Sequence, residues 1–368
     1  MPFIVSRDEN SNGNLALAAP AFDEEKLLVY REIYFDGFST VIAARDLTSG
    51  AAVAVKKIDF AQLGNCFSEV IQLQRRLTSK VRKQVARIKA LSHPAVMKML
   101  DFVLEPTRLV VISEMCLFGD MFNWMLQQQH LRFRDVFLII HGLFQAFHFL
   151  HGKGYTHGSL KPTNILFQTI SPHSLVVLPD LSVKKEISHL LNDPMLSCIS
   201  CAAPEVIRDL VKAQYEPPKS APNPEDDSEL FGTTAMDVWS IGAIALIALT
   251  GINYFQYETF DDLGKPVESR LERAFSHPIL SFCGPKIKEH LCKFLEVDPE
   301  KRATAAEGAA LVWLEEAEIA SDDRNLLFLM EYDLMNTCKY FRLYGQKVTK
   351  KLFSQAYTKE DVRYSPRS

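Results

Sequence analysis

The sequence predicts an α+β fold with two lobes, a small β-rich N-lobe followed by a larger, mostly α-helical C-lobe. Residues 29–112 alternate short β-rich runs with one helical stretch at 79–91, whereas residues 120–317 carry mainly helical patterns. Hydrophobic residues make up 47% of the 368 residues, so a large core is available. A chain of this length suits one two-lobed domain with tails.

Six short motifs are spread along residues 53–302. The most informative is His-Gly-Ser-Leu-Lys-Pro-Thr-Asn-Ile-Leu at residues 157–166. Its companions are Val-Ala-Val-Lys at 53–56, Asp-Leu-Ser at 180–182, Ala-Pro-Glu at 203–205, Asp-Val-Trp-Ser-Ile-Gly at 237–242, and Leu-Glu-Val-Asp-Pro at 295–299 with Arg302. The set resembles the motifs of the eukaryotic protein kinases, in the order in which that family carries them.

The resemblance covers roughly residues 29–317 and implies a bilobal protein-kinase-like domain at 28–317. Its N-lobe is expected at 28–112 and its C-lobe at 116–317, with Glu205 and Arg302 joined in a structural ion pair. Phe-Ser at 38–39, Gly-Asp-Met-Phe at 119–122 and Asp-Pro-Glu-Lys-Arg at 298–302 resemble the calcium/calmodulin-dependent kinase group.

Three segments fall outside this pattern. Residues 1–27 are rich in Asn, Ser, Gly, Ala and Pro, which predicts a flexible tail. Residues 215–230 form an acidic, proline-rich insert that is expected to be a solvated loop. Residues 318–368 form a C-terminal extension with a basic, amphipathic helical pattern. Such a helix either packs on its own domain or serves as a docking element, a calmodulin-type partner being one option.

Bulk properties bear on the partners. The net charge of −4 does not favour nucleic acid or an anionic membrane surface. No apolar run is expected to span a bilayer, and the N-terminus lacks the apolar region of a signal peptide. Seven cysteines without a disulfide rhythm fit a reducing compartment. We therefore expect protein partners and a cytoplasmic setting, which includes a cytoskeletal or other large assembly.

The loop at 157–166 departs from the kinase pattern His-Arg-Asp-Leu-x-x-x-Asn at two positions. Gly158 replaces the arginine that, in the family, receives an activation-loop phosphate. Ser159 replaces the aspartate that accepts the substrate hydroxyl proton. A serine hydroxyl carries no negative charge near neutral pH and is a poor proton acceptor. Lys161 is retained.

The phosphate-binding elements are also altered. Lys56 matches the lysine that pairs with nucleotide phosphates, but its usual glutamate partner aligns with Gln84. The Gln84 amide can accept a hydrogen bond from Lys56 but offers it no negative charge. Glu69 could take the place of the usual glutamate only if the N-lobe helix has a different position. In the glycine-rich loop, the first two glycine positions become Tyr34 and Asp36. We therefore interpret this segment as an ordinary β-hairpin turn rather than as a phosphate-binding loop.

Other ligand positions are kept. Asn164 and Asp180 match the family's metal ligands, and their oxygens suit Mg²⁺, although a retained Asp180 could equally be a structural relic. Val41, Ala54 and Leu166 match the residues around the purine ring, and Glu114 and Met115 match the hinge that hydrogen-bonds it; the alternative is that these are simply core residues. Leu181 and Ser182 replace the Phe-Gly of the family motif and predict a fixed conformation.

The resemblance and its departures lead to one main hypothesis with two alternatives. The main hypothesis is a pseudokinase, a catalytically inactive kinase homologue that acts as a scaffold, allosteric partner or structural subunit and requires no cofactor. One alternative is a weak or atypical ATP-dependent Ser/Thr protein kinase. The other is a nucleotide sensor that binds ATP and Mg²⁺ without turnover. The C-lobe, the 318–368 extension and the N-terminal tail are the expected partner-binding regions.

Overall fold

The architecture was obtained from a computed structural model. It describes residues 22–35, 39–59, 85–105, 108–127, 133–169, 171, 174–177, 201–215, 233–257 and 263–311. Gln84, Asp180, Asp36, Glu69, Leu181, Ser182, residues 1–21, residues 216–230 and the 318–368 extension lie outside these ranges, so the predictions made for them stay predictions.

Five antiparallel strands build the N-lobe. They are β1 (Leu27–Phe35), β2 (Ser39–Asp46), β3 (Ala52–Asp59), β4 (Met99–Leu104) and β5 (Arg108–Glu114), in the sheet order β1-β2-β3-β5-β4. The β2–β3 turn is set locally, because the Asp46 carboxylate accepts the N–H groups of Thr48 and Ser49 and Gly50 adopts φ +74°. A small apolar core of Ala44, Val53, Val55 and Val110 covers the outer face of the sheet.

The C-lobe is mostly helical, as predicted. Its helices are α1 (Met121–Gln127), α2 (Phe133–Gly152), α3 (Pro204–Tyr215), α4 (Thr234–Thr250), α5 (Glu268–Phe275), α6 (Ile279–Phe282), α7 (Pro285–Phe294) and α8 (Ala305–Ala310). Two short strands, β6 (Ile165–Phe167) and β7 (Leu175–Val177), form a separate hairpin beneath the N-lobe.

Helices α2 and α4 cross at the centre of the C-lobe core. All residues of α4 from Met236 to Thr250 are buried, and Gly251 ends the helix with φ +72°. Two glycines permit close packing. A Cβ on Gly308 of α8 would lie 2.3 Å from the Phe144 ring of α2, and one on Gly242 of α4 would lie 2.9 Å from Leu295. The first approach packs α8 closely against α2, and the second packs α4 against the residue that follows α7.

Helix α2 is long and apolar enough to cross a membrane by length and composition alone, with a mean hydropathy of 1.2 over its most apolar stretch. The expectation that no apolar run reaches this length is therefore wrong for this helix. In the structure, 61% of that stretch is buried, and the helix packs against α4 and α8. A core position accounts for its composition.

Two predicted boundaries differ from the structure. The flexible tail was expected to reach residue 27, but a 3₁₀ helix forms at Glu24–Lys26 and β1 begins at Leu27. Local composition missed this because the contacts that order these residues come from β3 and from the β4–β5 hairpin. The insert was expected to begin at residue 215, which is still the last residue of α3. The predicted helix at 79–91 is helical at 85–89 within the described residues.

A buried ion pair ties α3 to the end of the C-lobe. Arg302 Nη1 and Nη2 donate to Glu205 Oε1 and Oε2 at 2.7 and 2.9 Å, which is the predicted pair in a two-pronged geometry. The Arg302 side chain is fully buried and also donates to the carbonyl oxygen of Ala235 at 2.9 Å. Its guanidinium carbon lies 5.2 Å from the centre of the Trp239 ring. This one side chain thus fixes the start of α4.

We expect Arg302→Ala to lower the free energy of unfolding by about 3–5 kcal/mol, because the Glu205 carboxylate would lose its partner in a largely buried site. Urea denaturation followed by tryptophan fluorescence measures this. Lys301→Ala is the matched control, since the neighbouring Lys301 is 74% exposed and should contribute little. Equal loss of stability in the two variants would show that the pair is not structural.

Candidate functional site

The loop that carries Gly158 and Ser159 is held by one buried carboxylate. Asp237, near the start of α4, has no exposed surface. Its Oδ2 accepts the backbone N–H of His157 at 2.9 Å, and its Oδ1 accepts the N–H of Gly158 at 2.8 Å. His151 Nε2 lies 2.9 Å from the same Oδ2. These partners compensate the cost of removing the carboxylate from water.

The backbone of Ser159 is fixed by its neighbours on both sides. Its N–H donates to Nδ1 of the buried His157 at 3.3 Å, so that nitrogen acts as an acceptor and the ring proton is placed on Nε2. Asn164 Nδ2 donates to the Ser159 carbonyl at 3.0 Å, from the 3₁₀ turn Pro162–Asn164 that leads into β6. The loop therefore presents a half-buried hydroxyl at the position that aspartate occupies in the kinase motif.

Gly158 adopts a backbone conformation that favours glycine. Its φ is +76°, in the left-handed region. Space is available, because a Cβ would meet only the Met236 methyl at 3.5 Å. The constraint at this position is therefore backbone strain rather than a steric clash.

Three of the predicted nucleotide-binding residues lie on one face of the N-lobe sheet. Lys56 on β3 is paired with Val41 on β2 and with Val111 on β5. Directly paired side chains point to the same face, so Val41, Lys56 and, two residues before it, Ala54 share the inner face of the sheet. All three are partly buried. The structure thus brings together the predicted upper wall of the purine site and the phosphate lysine.

The remaining predicted purine-site residues lie on the link between the lobes and on β6. Glu114 is anchored to Lys98, the residue before β4, because its N–H donates to the Lys98 carbonyl and its Oε1 accepts the Lys98 N–H. After Met115 the chain runs beside β6, where the Phe118 N–H donates to the Phe167 carbonyl at 3.2 Å. Leu166 consequently packs with Met97, Cys116 and Val176 in one apolar cluster.

Cys116 is a member of this site that the sequence analysis did not single out. It is 7% exposed and follows Met115 directly, which was the available signal. Burial, with a smaller contribution from the Glu114 charge, raises the pKa of its thiol to about 12. The thiol therefore stays protonated and contributes an apolar surface rather than a nucleophile.

Asp120 closes the link with a helix cap. Its Oδ1 accepts the Asn123 N–H at 2.8 Å at the start of α1, and its Oδ2 accepts from the Asn123 amide at 2.7 Å. Burial raises the pKa of this carboxyl group, and the Asn123 hydrogen bonds partly oppose the rise. An isolated antiparallel β-bridge between the backbones of Asp120 and Leu166 keeps the link beside β6.

The residues at this site suit a nucleotide only in part. Val41 and Ala54 share one face of the sheet, Leu166 lies in the apolar cluster beside the link between the lobes, and apolar side chains of this kind suit a purine ring. On the metal side, the amide nitrogen of Asn164 is committed to Ser159, which leaves its oxygen as the atom that a cation would use. Asp180 is outside the described residues, and within those residues no group of three His, Cys, Asp or Glu side chains could hold a metal ion.

The fold and the motif positions define a protein kinase domain. The family model for the protein kinase domain matches residues 36–314, so this chain belongs to that family. The crystal structure of Rad53 1-466 in complex with AMP-PNP shares the fold, with a TM-score of 0.57 and 21% sequence identity over 79% of this chain and 66% of that one. The predicted bilobal α+β fold is thereby confirmed.

Curated relatives are protein kinases at 25% identity. They include the ovarian-specific serine/threonine-protein kinase Lok of Drosophila melanogaster (68% of this chain, 49% of Lok) and the maternal embryonic leucine zipper kinase of Xenopus tropicalis (79% and 40%). Human calcium/calmodulin-dependent protein kinase type IV matches over 64% of this chain and 46% of its own length. The chain spans half or less of these relatives. The presence of a calcium/calmodulin-dependent protein kinase among these relatives agrees with the resemblance to that group.

We expect Gly158→Ala to lower the free energy of unfolding by about 1–2 kcal/mol, because a Cβ is strained at φ +76°. Gly152→Ala is the control. Gly152 ends helix α2 and a Cβ there meets nothing within 4 Å, so this variant should be neutral or slightly more stable. Chemical denaturation of both variants tests the expectation, and equal stabilities would contradict it.

Proposed function

We propose that this protein is a pseudokinase, a kinase-fold protein that works through binding rather than phosphate transfer. The observation that carries the proposal is Ser159, held where the kinase motif places its catalytic aspartate. A neutral hydroxyl cannot accept the substrate proton as a carboxylate does, and loss of a general base typically costs about 10²–10⁴-fold in rate.

The proposal gains support from three further departures, because phosphate transfer depends mostly on positioning and charge neutralisation. Gly158 removes the arginine that receives an activation-loop phosphate in the family. Gln84 offers Lys56 no negative charge, and Tyr34 with Asp36 replaces two glycines of the phosphate loop. Each change affects a different component of the reaction.

The chain should transfer no phosphate to itself or to a generic protein substrate. The test is a radiolabelled ATP assay with Mg²⁺ and with Mn²⁺, in which Ser159→Ala should leave the background signal unchanged. Lys56→Ala and Asp180→Ala are the decisive controls. Turnover above background that both controls abolish would overturn the proposal in favour of a weak or atypical Ser/Thr protein kinase, which the retained Lys56, Lys161, Asn164 and Asp180 support.

The third candidate, a nucleotide sensor, is supported by the apolar walls of the cleft. Under the pseudokinase proposal ATP and Mg²⁺ are not required, and we expect ATP binding to be weak or absent because Asp36 places a negative charge in the phosphate loop. A thermal-shift titration with ATP, with and without Mg²⁺ or Mn²⁺, measures this. A Kd near 1 µM, about −8 kcal/mol, would instead favour the sensor; Ala54→Phe, which fills the purine position, is the control that should abolish such a shift.

The partners of a pseudokinase determine its role, and we propose that they are proteins bound through the C-lobe, the N-terminal tail and the 318–368 extension. A cytoplasmic scaffold or structural subunit, in a cytoskeletal or other large assembly, fits this proposal, with neither nucleic acid nor a membrane as a partner. The extension concentrates aromatic and basic residues, which commonly anchor a helix in a partner's groove. A calmodulin-type partner is one candidate.

Truncation after Glu318 should leave a folded core with a normal melting temperature and remove the main partner. The measurement pairs a thermal melt with affinity capture by the full-length and truncated chains. A truncated chain that aggregates would show that the extension packs on the C-lobe. A truncated chain that keeps every partner would assign binding to another region.

A further inference from the structure

The residues just before β1 lie across the back of the N-lobe sheet. The ring of Phe22 packs on the outer apolar core of Ala44, Val53, Val55 and Val110. The backbone N–H of Phe22 donates to Glu105 Oε1 at 2.8 Å, and the Lys26 carbonyl accepts the Leu47 N–H at 2.9 Å. We call residues 22–26 the clasp.

A shared carboxylate connects the clasp to two strands. Glu24 Oε1 lies 2.8 Å from Lys57 Nζ on β3 and 3.2 Å from Arg108 Nη1 on β5. Arg108 pairs in turn with Glu105, the residue that accepts the Phe22 N–H. The charges alternate in sign from Lys57 through Glu24 and Arg108 to Glu105. Because Glu105 also accepts the Phe22 N–H, the path returns to the clasp, and the contacts form a closed network rather than an isolated surface pair.

The network acts on the strand that carries the cleft lysine. Lys57 and Lys56 are consecutive on β3, and consecutive strand residues point to opposite faces. Lys57 therefore faces the clasp while Lys56 faces the cleft. Strand β3 pairs with β2 on one side and β5 on the other, so Glu24 links the central strand to its neighbour from outside.

We propose that the clasp is a conformational device that holds β3 against β5 and so sets the rigidity of the strand that bears Lys56. Release of the clasp loosens that strand. The inference concerns the N-lobe alone and holds whether or not the chain transfers phosphate.

Electrostatics agree with this geometry. The hydrogen bond from Lys57 lowers the pKa of Glu24, and the hydrogen bond from Arg108 lowers that of Glu105. For a lowered carboxyl pKa, the stabilisation is present above the ordinary value and is lost as pH falls through the folded-state pKa. Near neutral pH the stabilisation from Glu24 and Glu105 is therefore present, and because Glu24, Lys57 and Arg108 are partly exposed, added salt should weaken it.

The test is hydrogen–deuterium exchange of the full chain, read at β3, β5 and α4. Glu24→Gln removes the shared charge, and the matched control is Glu25→Gln, one residue later on the same 3₁₀ turn and without an ion pair in the described part of the chain. In Glu24→Gln, amides of β3 and β5 should exchange about twofold to fivefold faster, with α4 unchanged. Added salt should reproduce the effect in the unmodified chain and add little in Glu24→Gln.

Two results would overturn the proposal. Exchange at β3 that is equal in Glu24→Gln and Glu25→Gln would show that the clasp does not hold the strand. A rise that is equal at β3 and α4 would mean that the variant is globally less stable and that no local coupling exists. Phe22→Ala, which removes the packing but leaves the charges, should give the same local pattern and guards against an effect of charge alone.

Discussion

The carboxylate of Asp237 is the fixed point on which the geometry of the candidate site depends. It is a fully buried charge whose cost is met by the N–H groups of His157 and Gly158 and by His151. Its own position is secured by Arg302, which donates to the carbonyl of Ala235 two residues earlier and to Glu205 on α3. Arg302, α4 and the loop therefore form one connected unit, in which the N–H and the carbonyl oxygen of Ser159 are both hydrogen-bonded.

This separation of shape from chemistry explains how the family pattern can be kept and altered in the same ten residues. The positions that hold the loop are buried and joined by hydrogen bonds, so a change there would leave a polar group without a partner. Ser159 and Gly158 are only partly buried and hold the loop through their backbone atoms. These hydrogen bonds do not require the arginine and aspartate side chains of the family pattern.

The sequence predicted features that are local or that belong to the kinase pattern. Val53 to Lys56 has the alternation of a strand, and the Glu205–Arg302 pair follows from two recognised motifs. The clasp was missed because its ion pairs join residues 33 and 84 positions apart, and a composition rich in small and polar residues gives no sign of them. Cys116 was missed because a lone cysteine has no pattern of its own, and its position after Met115 gains meaning only when the fold buries it. Contacts with distant elements decide both, and such contacts are a property of the fold.

The left-handed backbone at Gly158 makes the change at this position easier in one direction than in the other. In this backbone a glycine at 158 avoids the strained Cβ that an arginine would carry, so the residue without a phosphate-binding side chain is also the less strained one. Moving to arginine introduces the strain at once, while any benefit would require an aspartate at 159 and a charged partner for Lys56 as well. Backbone energetics at position 158 therefore favour the present glycine over arginine, whatever the catalytic state of the domain.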